Sequence, residues 1–185
     1  MTSAVITLCV ALTGYFATYL NGLRLSQRER SLERLNRQLA ELYGPLLALV
    51  EANHGAYRMF SRLHPRDDGR NLFQHHPDRP GDQPPTDEEL AEWRTWTEAI
   101  ILPNQRAMRQ ILTTKADLLV EPEMPGLLME LYVFSAIDEI ELPRWVTGTR
   151  TQLPQEYPAG AATRYVRARF DELKRKQTRL LGSRG

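Results

Sequence analysis

The chain has 185 residues, with 24 Lys or Arg against 23 Asp or Glu, four His and one Cys. A single cysteine excludes an intramolecular disulfide, and with it a disulfide-stapled scaffold. The length allows one domain with one core, even after a short terminal segment is set aside.

Ala4 to Leu23 is a run of 20 residues without Asp, Glu, Lys, Arg or His, followed at once by Arg24, Arg28, Arg30, Arg34 and Arg37. At about 1.5 Å of rise per residue, such a helix is roughly 30 Å long, the hydrocarbon thickness of a bilayer. Residues 1–23 are therefore expected to form a transmembrane anchor. Thr7, Thr13 and Thr18 dilute the run, but their hydroxyls can bond back to helix carbonyls, and Tyr15 and Tyr19 suit the interfacial belt. Met1-Thr2-Ser3 lacks the basic region that a cleaved signal peptide uses. The terminal position and the abrupt change to arginine argue against a buried core helix. Arginines follow the run and none precedes it, so the body is expected in the cytosol, on the inner membrane. Cys9 lies inside the run, which permits a reducing compartment.

Leu25 is followed by leucines at 32, 35, 39, 42, 46 and 49; from Leu32 the steps are 3, 4, 3, 4, 3. This is a heptad seam, which continues through Asn53, Ala56, Phe60 and Leu63. Residues 24–63 are expected to form one long helix. Pro45 has no N–H for the Glu41 carbonyl, so a kink is expected at Gly44-Pro45 with the phase kept. The seam of Leu32, Leu35, Leu39, Leu42, Leu46 and Leu49 has two uses: a parallel coiled-coil dimer, or packing on the chain's own later helices. The second is favoured, because Asn53 and Ala56 weaken the fourth heptad.

Residues 64–85 read as a linker: 11 of the 22 are Pro, Asp or Gly, and only Leu72 and Phe73 are large and apolar. His75-His76 within it lacks further spaced ligands for a metal. Thr86 and Glu89 form a capping box that opens the next helix. Leu90, Trp93, Thr97, Ile100 and Ile101 share its inner face, with Trp96 beside it, and Pro103 is expected to kink or divide it. Met108, Ile111, Leu112, Lys115, Leu118 and Leu119 carry the period to a stop near Glu121-Pro122. Leu127, Leu128, Leu131, Phe134, Ile137 and Trp145 mark another helix, opened near Pro125 and disturbed at Pro143. Val146 to Tyr157 has strand-like composition but nothing to pair with, and reads as loop. The last helix starts at Ala159 and ends before Gly182, with Tyr165, Val166, Phe170, Leu173 and Leu180 on one side. Residues 86–182 belong to the same domain as 24–63.

Charge is segregated along the chain. Arg24 to Arg66 carries 8 basic and 4 acidic residues, Thr86 to Pro143 carries 4 and 12, and Ala159 to Gly185 carries 8 and 2. The basic ends can flank an acidic middle or meet anionic headgroups.

The chain lacks a Gly-rich phosphate loop, a zinc-binding His-Glu motif and a nucleophile elbow. Glu51-Ala52-Asn53-His54 has the Glu-x-x-His spacing of di-iron bundles, but without the second copy such a site needs. No catalytic residue, metal site or cofactor is expected, and an enzyme is not the favoured reading.

Leu39-Ala40-Glu41-Leu42-Tyr43-Gly44-Pro45-Leu46-Leu47-Ala48-Leu49, then Glu51-Ala52-Asn53, Trp93 and Trp96, Pro103-Asn104, Met124-Pro125, and Tyr157-Pro158 leading to Tyr165-Val166, Phe170, Leu173-Lys174 and Gln177 together form a pattern. It resembles a group of bacterial single-pass membrane proteins with no assigned activity. The resemblance spans nearly all of the chain after the anchor. It implies an amino-terminal span and a cytosolic helical bundle, with no functional residue to carry over.

The expected fold is all-α, with the anchor running into a kinked helix packed in a bundle of four to five helices. The leading functional expectation is an anchored interaction module or scaffold that takes a protein partner or self-associates. A second is a ligand sensor or enzyme with a cleft around Glu51, His54, Trp93 and Trp96. A third is lipid or nucleic-acid binding through the basic last helix, with nucleic acid the less favoured.

Overall fold

The computed structural model describes residues 2–66, 84–146 and 159–182; within these, the side chains of residues 2–13, 17, 138, 141–143, 145, 146 and 159 lie outside the described set. The described residues are helical, with no strand among them. Helix α1 (Thr2–Arg37) continues through a π turn at Gln38–Tyr43 into α2 (Gly44–Leu63), forming one rod. Helix α3 (Asp87–Trp96) continues through a second π turn, Thr97–Ile101, into α4 (Leu102–Thr114). A short 3-10 turn, Ala116–Leu118, leads to α5 (Gly126–Val146), and α6 (Ala159–Gly182) completes the set. His75-His76, most of the 64–85 linker and the 147–157 segment lie outside the described residues, as does the Trp145 side chain.

Both π turns end two residues before a proline, and the reason is chemical. Proline offers no N–H to the carbonyl four residues back, and its ring crowds that carbonyl. Widening the preceding turn relieves the crowding: Gly44 N–H bonds the Leu39 carbonyl and Leu102 N–H bonds the Thr97 carbonyl, each reaching back five residues instead of four. The helix continues and gains an inward position. At the first turn Gln38, Leu39, Leu42 and Tyr43 are all buried. Gly44 has no room for a side chain, since a Cβ there would sit inside van der Waals contact with the Leu39 carbonyl oxygen.

Leu35, Leu39, Leu42 and Leu46 are buried, and Leu32 and Leu49 are half-buried at the edge. They pack with Met108 and Leu112 of α4, Leu128 and Leu131 of α5, and Ala162, Val166 and Leu173 of α6. The seam is thus filled by the chain's own helices, each buried leucine removing enough apolar surface to contribute about 1.5–3 kcal/mol. Val50, one position beyond Leu49, is the next deeply buried apolar residue. Helix α6 runs antiparallel to the first rod: Arg167 pairs with Glu51 near its start, while Gln177 reaches Asn36 and the Leu180 carbonyl accepts from Arg28 near its end.

Thr86 accepts from Glu89 N–H at 3.2 Å and Glu89 accepts from Thr86 N–H at 2.8 Å, closing the capping box. Helix α4 ends earlier than its apolar period predicts. Thr113 and Thr114 turn their hydroxyls back to the Arg109 and Gln110 carbonyls, and Lys115 leaves the helical region with φ −123° and ψ 21°. Leu118 and Leu119 are buried from the following turn rather than from the helix.

Every described side chain from Gly14 to Leu25 is exposed, including Tyr15, Phe16, Tyr19, Leu20 and Leu23. Thr18 Oγ1 donates to the Gly14 carbonyl at 2.9 Å. Among the described residues, no helix is long and apolar enough to cross a membrane. More than half of the uncharged Ala4–Leu23 run has its side chains outside that set.

Candidate functional site

Side chains of the first π turn grip the connection between α4 and α5. Gln38 Nε2 donates to the Leu118 carbonyl at 2.9 Å, and the buried Tyr43 hydroxyl accepts from Val120 N–H at 3.2 Å. Glu41 pairs with Lys115 at 2.7 Å and with Arg37 at 3.2 Å. Those two cations hold the Glu41 carboxyl below its usual range.

Glu121 then ties this connection to α6. Its carboxylate accepts from Tyr165 Oη at 2.8 Å and from Tyr43 Oη at 3.4 Å, and pairs with Arg169 at 2.6 Å. Arg169 also pairs with Glu172 at 2.7 Å, and its guanidinium lies 5.5 Å from the Tyr165 ring centroid. Burial pushes the Tyr43 hydroxyl up. Burial and the Glu121 hydrogen bond do the same to Tyr165. Hydrogen bonding to Tyr165 and Glu172 keeps Arg169 firmly protonated. Tyrosines shifted this way remain neutral donors at neutral pH and are unsuited to proton abstraction. The constellation is suited to clamping three elements together.

The residues expected around a cleft separate into two places. Trp93 and Trp96 meet on Phe60, with ring centroids 4.9 Å and 5.7 Å away, and Ala56 and Ile101 complete a second apolar cluster. Glu51 lies nine residues before Phe60, half a revolution around α2, and faces Arg167 of α6 instead. His54 is half-buried. Asn53, between them in sequence, accepts from Asn104 Nδ2 at 2.8 Å. The four residues therefore do not converge on one cleft. Among the described residues, no group of three or more His, Cys, Asp or Glu is placed to hold a metal.

Helix α5 carries an apolar surface on the side away from the core. Leu128 and Leu131 are buried and Phe134 is half-buried, but Ile137, expected on the same inner face, is 42% exposed. With Met129, Val133 and Ile140 it forms an outward apolar stripe at steps of 4, 4 and 3. The helix is apolar on two sides, one packed on α4 and α6 and the other open to solvent. The signal is present in the spacing of Met129, Val133 and Ile137, but a single period drawn from Leu127 to Ile137 hides it.

No family model, curated protein or solved structure matches this chain. The functional reading therefore rests on the residues themselves.

Proposed function

We propose that this protein is a single-pass anchored interaction module, its helical body held on the cytosolic face of the inner membrane by the uncharged run of α1. The observation that carries this reading is the exposure of Tyr15, Phe16, Tyr19, Leu20 and Leu23 on a helix that continues without a loop into the core. An exposed apolar segment of that kind calls for a covering phase, and a run of 20 uncharged residues is long enough for the bilayer to supply it. The Thr18 hydroxyl, satisfied on its own helix, suits the same surroundings. The arginines from Arg24 onward supply the orientation.

The test is fractionation of the full chain with topology reporters. Sedimentation with membranes through salt and alkaline washes, with a carboxyl-terminal fusion active only as a cytosolic reporter, is the expected outcome. An intact chain in the supernatant, or a carboxyl-terminal reporter active only outside the cytosol, would overturn the reading.

The interaction role draws support from the α5 stripe, an apolar face that stays exposed while the leucine seam is packed inside. Its partner is a protein helix with an apolar face, since steps of 4, 4 and 3 form a ridge that fits between the side chains of another helix. A partner cross-linked to the native protein in membranes and lost with Val133→Glu, while the helical content is unchanged, supports this role. Identical capture by both proteins removes it.

A further inference from the structure

Two basic segments far apart in sequence are brought to one end of the bundle. Arg28 of α1 donates to the Leu180 carbonyl of α6, across 152 residues, and Gln177 reaches Asn36 at 2.7 Å, so the end of α6 lies against the part of α1 just past the uncharged run. The cation at the carboxyl end of α6 also meets the negative end of that helix's dipole, which fixes the juxtaposition. Along this end of the bundle Arg24, Lys174, Arg175 and Arg179 are all exposed, while Arg30 turns to the other side of α1, beside Asp117 and Leu118. Among the described residues, Arg24, Arg175 and Arg179 have no ion-pair partner. From Leu173 to Gly182 there are four basic residues and no acidic one.

We propose that this collar binds anionic lipid headgroups, so that the end of α6 forms a second membrane contact beside the anchor. The inference rests on the anchored reading above. Arg28 lies five positions beyond Leu23, about 8 Å along the helix axis, and its side chain reaches the Leu180 carbonyl, so the last turn of α6 is at the end of the bundle that faces the uncharged run. A headgroup layer at the end of that run extends toward these cations, and a Lys or Arg near an anionic surface gains from its negative potential. Leu181, 46% exposed in the last turn of α6, gives the contact an apolar tip. A nucleic acid would meet the same cations, but their position beside the uncharged run favours the lipid surface.

The experiment uses the full chain in nanodiscs, with Cys9→Ser removing the native thiol and Leu181→Cys carrying an environment-sensitive dye. Discs of phosphatidylcholine alone are compared with discs containing phosphatidylglycerol, using a quencher attached to the headgroup. Quenching roughly twofold greater in the anionic discs, falling toward the neutral value in high salt and in the Arg175→Glu/Arg179→Glu double variant, is the expected result. Equal quenching in both lipids, with the chain incorporated, overturns the collar alone. A chain that does not incorporate overturns the collar and the anchor together. Inorganic phosphate or a short RNA that changes the dye signal in neutral discs as strongly as anionic lipid does would overturn the lipid assignment.

Discussion

The Tyr165 hydroxyl donates to the Glu121 carboxylate at 2.8 Å, joining α6 to a connection 44 residues earlier in the chain. Tyr43 and Arg169 converge on the same carboxylate, so one side chain holds three elements in register. Glu121→Ala leaves two hydroxyls and a guanidinium without their shared acceptor and should cost about 1–3 kcal/mol. Tyr165→Phe removes one donor and should cost about 1 kcal/mol. Thermal or urea unfolding of the detergent-solubilised chain measures both. A change below about 0.5 kcal/mol for Glu121→Ala would show that the clamp contributes nothing to stability.

Leu42 and Leu32 both lie on the heptad seam but in different environments, one fully buried and the other at the edge of the core. Leu42→Ala should cost about 2–5 kcal/mol and Leu32→Ala clearly less. Because Leu42 packs within its own chain, the loss should be independent of protein concentration. A destabilisation that grows on dilution would indicate a seam shared between copies.

Two glycines on α2 give a contrast in sign. Gly44→Ala places a methyl against the Leu39 carbonyl and should destabilise by about 1–3 kcal/mol. A methyl added at Gly55, inside the same helix, would meet nothing within 4 Å beyond its own stretch of helix, so Gly55→Ala should stabilise by roughly 0.5–1 kcal/mol. Equal effects at the two positions would contradict the tight approach at the π turn.

Phe60 is fully buried against Trp93 and Trp96. Phe60→Ala should cost about 3–5 kcal/mol and shift tryptophan emission to the red as water reaches the indoles. Unchanged emission in the folded variant would show that the cluster closes over the gap.

Acid should weaken the fold. Glu89 is subject to burial, which raises its pKa, but the Thr86 N–H and Arg66 outweigh that, and the net direction is down. Glu139 is held down by Arg106 and Arg109, and Glu172 by Lys176 and Arg169. A carboxylate whose folded pKa is depressed adds stability above its unfolded pKa and loses it as pH falls through the folded value. Denaturation midpoints should therefore hold from neutrality down to the ordinary carboxylate range, about pH 4–4.5, and decline below it. Glu89→Gln should flatten that decline. A stability that rises on acidification would contradict these pairings.

What can be read from the residues follows from how local each cause is. The Thr86–Glu89 cap depends on residues three apart, and the structure places both of its hydrogen bonds. Pro45 and Pro103 announce a disturbance, but not that it takes the form of a π turn, because the choice between a kink and a widened turn depends on what packs against it. Tyr43 shows the cost: it lies off the heptad, yet the extra residue in the wide turn carries it inward, where Val120 and Glu121 receive it. Nothing periodic connects Tyr43, Glu121, Tyr165 and Arg169, so the clamp is not legible as a unit in the sequence. Glu51 and Trp93 suggest a shared cleft, but half a revolution of α2 separates Glu51 from Phe60, on which Trp93 packs.

The unbroken rod formed by α1, its π turn and α2 has a mechanical consequence. No hinge separates its outer end from Leu42 and Leu46, so an axial push or a twist applied near residue 14 is delivered to the core instead of being absorbed on the way. The wide turn before Pro45 is the one place along that path where the helical ladder changes step, and its side chains hold the 115–121 connection. A displacement of the rod therefore acts directly on that connection.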